Sequence, residues 1–172
     1  MLTTQQLIQL FDLANPGYRQ RRRRPAPTPT AQSIAHINRD LGIELPQSFV
    51  DFSRQCDCYD AYFNSIGEDY ESDSHILTRN RVFHGDAEGY SAPLPPYLIL
   101  LTSGHDGDCD CFDTRTRNPA GEYPIVYWDA TAGPGFVPTR PFPTFTDYVE
   151  KIAISLARAV DESRASQIIQ KI

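Results

Sequence analysis

Residues 1–14 carry the first regular pattern of apolar and polar positions. Apolar residues recur every three or four positions there, as in an amphipathic helix, and Thr3 with Gln6 forms a capping-box signature at its start. The apolar stripe comprises Leu7, Leu10, Phe11 and Ala14. The Asn15-Pro16-Gly17 sequence ends the helix, and four arginines at 21–24 and a proline-alternating segment follow it. This composition predicts an extended, solvated linker up to residue 30.

Two further helices are predicted between residues 31 and 56, joined by a tight corner. The first ends at Gly42, because glycine readily adopts the left-handed conformation that closes a helix. The second begins at Leu45-Pro46, since a proline in the first turn loses no helical hydrogen bond. The inward-facing positions are Ile34, Ile37, Leu41, Phe49, Phe52 and Cys56.

The rest of the chain is dominated by strand patterns and closes with a helix. We expect a strand over 59–66, a short helix over 74–83, and mainly turns from 84 to 96. The strongest strand signals are Tyr97–Thr102, Cys109–Thr114 and Tyr123–Trp128. Their short connections favour antiparallel pairing, because parallel strands need a long crossover.

A proline-rich loop is predicted over residues 133–143, and a closing helix begins near Thr144. The apolar face of that helix comprises Phe145, Val149, Ile152, Leu156 and Val160. The order of elements predicts an α+β fold with an antiparallel central sheet flanked by helices. We divide the chain into an N-terminal helix and linker (1–30), a single domain (31–160) and a C-terminal helical extension (161–172).

Charge and apolar content limit the partners and the compartment. The longest apolar run, residues 97–101, is too short for a membrane span, and no secretory signal is present, so we expect a cytoplasmic protein without membrane contact. Residues 31–172 contain 11 basic and 21 acidic side chains, a net charge of −10. Such a domain repels nucleic acid and attracts basic proteins. We therefore interpret the arginine run as a solvated linker. The alternatives are contact with nucleic acid or acidic lipid, and contact with the acidic domain of the same chain.

Candidate chemistry is sparse. Two Cys-Asp-Cys triplets, at 56–58 and 109–111, lack the spacing of zinc sites, although strand geometry would allow a four-sulfur site if they met. We expect free structural thiols there, with metal or redox chemistry as alternatives. The segment Asp106–Asp110 resembles a calcium loop but lacks its later ligands. Ser103 and His105 form no recognisable hydrolase motif.

Nine acidic side chains are concentrated in three loops, interleaved with tyrosines. If these loops share one face, they form a surface for a basic protein; the alternative is that they are simply solvated. The candidate partner-binding residues are Glu68, Asp69, Tyr70, Glu71, Asp73, Asp86, Glu88, Asp106, Asp108 and Asp110.

Four motifs follow one another along the chain. In order they are a Leu-Gly-Ile corner with a Leu-Pro aromatic helix, a strand pair around an Asp-Gly-Asp turn, a further strand, and an aromatic closing helix. They occupy Leu41–Phe52, Tyr97–Asp113, Glu122–Asp129 and Phe142–Val149. In this order the motifs resemble the SUKH superfamily. The chain departs from the family at Cys56-Asp57-Cys58, where an Asn-Gly pair is common.

The resemblance implies an immunity protein that neutralises a cognate bacterial toxin, a nuclease or another nucleic-acid-modifying effector. It implies that an acidic surface of the immunity protein covers the active site of the toxin. It implies no catalysis and no cofactor, and a protein partner in place of direct nucleic-acid binding. Two alternatives stay open. One is a regulatory interaction module that uses the arginine- and proline-rich segment; the other is a metal-dependent enzyme built on the cysteine triplets.

Overall fold

The described residues form five helices and a four-stranded sheet. A computed structural model describes residues 1–16, 28–56, 62–68, 75–85, 93–103, 107–129, 131–133 and 135–170. In chain order the elements are α1 (Thr4–Ala14), α2 (Ala31–Leu41), α3 (Gln47–Gln55), α4 (Ile76–His84), β1 (Leu98–Ser103), β2 (Asp108–Asp113), β3 (Ile125–Asp129), β4 (Thr139–Phe142) and α5 (Phe145–Ile169). The strands lie in the order β1-β2-β3-β4, all antiparallel. The predicted α+β class is confirmed.

The sheet separates two apolar cores. The main core lies between one face of the sheet and helices α1, α3 and α5, where the Phe49 ring centroid is 5.5 Å from that of Phe112 and 5.1 Å from that of Phe145. A smaller core on the other face contains Leu98, Leu100, Cys109, Cys111, Val126, Trp128 and Phe83 of α4. Alternate residues of β1–β3 therefore enter different cores, as the two-residue period of a strand requires.

The helix boundaries follow the local signals in the sequence. Thr3 caps α1 and forms the capping box with Gln6, as predicted. Gly42 ends α2 with a φ of 68°, a conformation that costs other residues strain. Pro46 precedes the first residue of α3, so its missing N–H leaves no helical hydrogen bond unmade.

Three local expectations are wrong. Within the expected strand at 59–66, the described residues 62–66 contain only a single bridge, between Ser65 and His75. The expected loop at 133–143 includes β4, which tolerates Pro141 because it is an edge strand. Val160 was expected on the buried face of α5 but is 56% exposed, because the helix is interrupted at Asp161.

Helix α1 packs along α5 on both sides of this interruption. The backbone N–H of Leu2 donates to Glu150 Oε2 at 3.0 Å, before the break. The side-chain amide of Gln6 donates to the Ile168 carbonyl at 3.0 Å, after it. Asp161 caps the second part of α5 by accepting from the backbone N–H of Arg164 at 2.9 Å. The two ends of the described chain are thus joined through these helices.

No helix in the described ranges combines the length and the apolar character needed to cross a membrane.

Candidate partner-binding surface

Three of the ten predicted binding residues lie in the part of the chain that the structure describes. These are Glu68, Asp108 and Asp110. The other seven predicted residues lie outside the described part of the chain, as does the Arg21–Arg24 run; they are Asp69, Tyr70, Glu71, Asp73, Asp86, Glu88 and Asp106. The geometry of the surface is therefore built from the described strands.

Glu68 and the two aspartates occupy different surroundings. Glu68 is exposed and accepts a hydrogen bond from Thr30 Oγ1, at the start of α2, at 2.9 Å. Asp108 and Asp110 stand two residues apart on β2 and therefore project from the same face of the sheet. Strand β2 thus brings two of the predicted residues together, while Glu68 is held at the helix cap.

Strand β3 adds a third carboxylate to this end of the sheet. Asp129 lies directly opposite Asp108 in the antiparallel register, and Tyr127 lies opposite Asp110. The hydroxyl of Tyr127 donates to Asp108 Oδ1 at 2.8 Å, which ties the two strands together. Our sequence prediction missed Asp129, although it follows a clear strand signal and its alternation with Tyr127 places both on one face. We call Asp108, Asp110, Tyr127 and Asp129 the acidic end of the sheet.

Helix α5 reaches the acidic end through a single hydroxyl. Tyr148, 2% exposed, donates to Asp110 Oδ2 at 2.7 Å. Burial and the neighbouring Asp108 charge raise the pKa of Asp110, while this hydrogen bond opposes the rise by stabilising the charged carboxylate. Burial, together with Asp110, raises the pKa of Tyr148 well above its ordinary value. Asp110 is therefore a positioned residue at the inner margin of the acidic end.

Local hydrogen bonds hold the outer carboxylates in place and favour the charged form of Asp129. The backbone N–H and the hydroxyl of Thr131 donate to Asp129 Oδ1 at 2.8 and 2.7 Å, and they lower the pKa of Asp129. The bond from Tyr127 to Asp108 raises the pKa of the Tyr127 hydroxyl to about 12, because the phenol donates to a carboxylate. At neutral pH this surface presents negative charge beside a neutral, fixed phenol ring.

The cysteine triplets do not form the four-sulfur arrangement that strand geometry had left open. Cys56 is buried in the main core, whereas Cys109 and Cys111 lie in the second core on the opposite face of the sheet. Cys109 and Cys111 are free thiols, but Cys56 is disulfide-bonded, so our expectation of free thiols is wrong at Cys56. Within the described ranges, no group of three or more His, Cys, Asp or Glu side chains could hold a metal ion.

The remaining candidate nucleophiles are poorly placed for catalysis. Burial, followed by the Asp110 charge, raises the pKa of the Cys109 thiol to about 12, so it is protonated at neutral pH. Reactive cysteines have the opposite property, a lowered pKa. Ser103 accepts a hydrogen bond from the guanidinium of Arg79, which cannot act as a base toward it. His105 lies outside the described residues.

A protein-family model matches most of the chain. The family model for the SMI1 / KNR4 family (SUKH-1) matches residues 28–151, a range that runs from the residues before α2 into the first turns of α5 and includes the whole sheet. Helix α1 and the later part of α5 lie outside it. No curated protein matches the chain.

Proposed function

The chain belongs to the SMI1 / KNR4 family (SUKH-1), and from this premise we propose that it is an immunity protein that binds and neutralises a cognate bacterial toxin in the cytoplasm. A SUKH domain is consistent with that role. The proposed action is binding without catalysis, to a basic toxin that modifies or cleaves nucleic acid. Fold alone does not identify a partner, so the proposal depends on the surface.

The facing carboxylates Asp108 and Asp129 are the observation that carries the proposal. Like charges directly opposite one another on neighbouring strands destabilise a sheet. In the described structure no basic side chain forms an ion pair with either aspartate. A locally unfavourable arrangement of this kind is expected where a sequence serves binding. A cationic partner would remove the repulsion and convert the unfavourable pair into part of an interface.

Tyr127 gives this surface a suitable contact group beside the charges. Its hydroxyl is fixed on Asp108, so little side-chain freedom is lost when another protein packs against the half-buried ring. Tyrosine is favoured in binding surfaces because it supplies a large contact area at a low entropic cost. The acidic end therefore offers both charge and a preformed aromatic contact.

The expected partner surface is the basic groove of a nucleic-acid-processing enzyme. Such grooves carry lysine and arginine because they neutralise phosphates. An acidic protein with a net charge of −6 is attracted to that groove at long range, and the carboxylates of the acidic end would occupy the positions of the phosphates. Binding there would block substrate access without any chemistry by the immunity protein.

The direct experiment is co-expression of this chain with the protein encoded immediately beside it. We expect the host to survive only when both are produced, and a stable 1:1 complex to be recovered. Toxicity that persists although this chain is folded and abundant would contradict an immunity role and favour a regulatory interaction module.

Two double variants then test the acidic end itself. Asp108→Asn with Asp129→Asn removes both charges while keeping the oxygens that accept from Tyr127 and Thr131. The control, Asp51→Asn with Glu162→Gln, removes the same charge from exposed helical positions. We expect the first to slow association at least about tenfold and the control to change it about twofold or less. Equal effects would show that only net charge matters and that this surface is not the interface.

A further inference from the structure

The opposite end of strand β2 holds a buried carboxylate between two arginines. Asp113 is the last residue of β2, and its side chain is fully buried. Arg115 binds it at two points through one edge of its guanidinium group, donating from Nε to Oδ1 at 2.9 Å and from Nη2 to Oδ2 at 2.8 Å. Arg140, on strand β4, donates from Nη2 to the same Oδ2 atom at 2.6 Å. The two guanidinium groups are therefore immediate neighbours.

This cluster contains one more positive charge than its structure requires. The two-point bond from Arg115 already compensates the single negative charge of Asp113. Arg140 adds a second cation to the same oxygen, and no other described carboxylate forms an ion pair with either arginine. The nearby Arg117 is different, because it is matched one to one by Glu44, with its Nη1 2.6 Å from Oε2. The Asp113 cluster therefore differs from the one-to-one pair of Arg117 and Glu44.

The surplus charge is accessible and held in place. The side chains of Arg115 and Arg140 are each 47% exposed, while the carboxylate beneath them is inaccessible. The Arg115 guanidinium lies 4.0 Å from the centroid of the Tyr97 ring, which fixes its plane by a cation–π contact. Each guanidinium carries five N–H donors, and the bonds to Asp113 use only some of them. Outward-facing donors therefore remain on two oriented groups.

We propose that Arg115 and Arg140 form a binding site for a carboxylate group presented by another molecule. The buried Asp113 orients both guanidinium groups, and the incoming carboxylate accepts from their outward-facing donors. Its single negative charge balances the cluster, which carries one net positive charge, whereas a phosphate dianion would leave a negative excess. Arginine pairs bind carboxylates well because the planar donor fork matches the two oxygens. The site is on the opposite end of the strand from the acidic end, and it does not depend on the proposed function.

The test is titration of the full chain with sodium acetate at constant ionic strength, followed through the Nε–Hε signals of ¹⁵N-labelled arginines. We expect saturable shifts at Arg115 and Arg140 and no saturable shift at Arg158. Arg140→Gln should weaken acetate binding at least about fivefold, because it removes half of the site. The matched control Arg117→Gln, which removes an arginine that Glu44 already neutralises, should leave acetate binding unchanged.

Two outcomes would overturn the proposal. Linear shifts of equal size at every arginine would show only general screening, and tighter saturation by inorganic phosphate would show that the site does not select a carboxylate.

Arg140→Lys is the control for loss of folding. Lysine keeps a positive charge beside Asp113 but lacks the planar donor fork, so acetate binding should fall while the other signals stay in place. Titration with a peptide that has a free C-terminal carboxylate, and with its amidated form, then shows whether the bound carboxylate belongs to a protein or to a small molecule. Saturation by the free acid alone supports a protein ligand, and saturation by acetate but by neither peptide restricts the site to small carboxylates.

Discussion

The side chain of Asn80 pairs with both backbone groups of Leu100, as a neighbouring strand would. Its Oδ1 accepts from the Leu100 N–H at 2.7 Å, and its Nδ2 donates to the Leu100 carbonyl at 3.2 Å. Strand β1 lies at the edge of the sheet, where such groups would otherwise lack a strand partner. Asn64 adds a second donor to the same carbonyl at 3.1 Å. Two asparagines therefore close this edge within the protein.

Replacing Asn80 with alanine should destabilise the fold by about 2–3 kcal/mol, because the buried Leu100 N–H loses its acceptor and gains no water. Urea denaturation at neutral pH measures the effect. Gln9→Ala, at an exposed position of α1, is the control and should change stability by less than about 0.5 kcal/mol. A loss of the same size in both variants would show that the Asn80 bonds contribute nothing specific.

The contrast between Asn80 and the strand residues shows how far sequence reasoning reached. Periodicity, capping signals and turn residues predicted the helices, three strands and their antiparallel pairing, because these depend on local patterns. A lone asparagine in a helical pattern gives no such signal, since its partner lies twenty residues away. Strand β4 was missed because Pro141 is typical of a loop, and only its position at the sheet edge makes it tolerable.

The candidate surface was predictable in the same partial way. Acidic composition indicated Asp108 and Asp110, but their orientation depends on strand alternation, and Asp129 joins them only through register. The register in turn follows from which residues enter each core. Tyr148, almost 40 positions from Asp110 in the chain, could not be assigned to this surface without the packing of α5 on the sheet.

The pH dependence of stability should reflect Asp113. Hydrogen bonds from Arg115, and to a lesser extent the one from Arg140, lower the pKa of this carboxyl below 3.8, the ordinary value for aspartate. A lowered pKa in the folded state stabilises the fold above about pH 4, and this stabilisation is lost as the pH falls through the folded value. Asp113→Asn should therefore cost about 2 kcal/mol at pH 7 and progressively less below pH 3.8. The measurement is the urea midpoint of both proteins across about pH 2.5–7, a range that includes the expected transition. A difference between the two midpoints that stays constant with pH would contradict the prediction.

Removing the Tyr148 hydroxyl should change the titration of Asp110 in a defined direction. The hydrogen bond from Tyr148 stabilises the charged carboxylate, so Tyr148→Phe should raise the Asp110 pKa further above its already raised value. A folded-state pKa that is raised favours the fold at low pH and lowers stability as the pH rises through it. The variant should thus lose more stability at pH 7 than at pH 3. Carbon-13 NMR of the Asp110 carboxyl measures the pKa. The comparison variant is Tyr127→Phe, which removes the hydrogen bond to Asp108 instead. A lower Asp110 pKa in Tyr148→Phe would contradict the assigned role of the Tyr148 hydroxyl.

If the acidic end steers a basic toxin, association should depend strongly on ionic strength. Raising the salt from about 50 to 500 mM shortens the Debye length several-fold, so the association rate should fall at least about tenfold while the dissociation rate changes much less. Stopped-flow mixing of the two proteins measures both. The Asp108→Asn/Asp129→Asn variant should show a shallower salt dependence than the wild type, and an unchanged slope would place the steering charges elsewhere.

Helix α1 should be as necessary for the fold as the elements that the family match includes. Phe11 is 2% exposed, and its ring centroid lies 4.9 Å from that of Tyr62 and 6.1 Å from those of Phe52 and Phe63. Three of these four aromatic rings lie within the matched range, so the core of the family domain in this chain is completed by a residue from outside it. Phe11→Ala leaves a cavity among rings that are anchored on other elements and cannot collapse fully into it. We expect a loss of about 3–4 kcal/mol.

The matched control for Phe11 is Ile8→Ala, which shortens a half-buried side chain of the same helix and should cost about 1 kcal/mol. Equilibrium unfolding in urea, followed by Trp128 fluorescence and by circular dichroism, separates two possibilities. If α1 belongs to the core, Phe11→Ala shifts one transition that both signals share. If α1 unfolds independently of the core, the fluorescence of Trp128, which lies in the second core on the far side of the sheet, keeps an unchanged midpoint. Part of the helical circular dichroism signal is then lost at a lower urea concentration. The shared shift is expected, because α1 touches α5 on both sides of Asp161 and α5 in turn packs on the sheet.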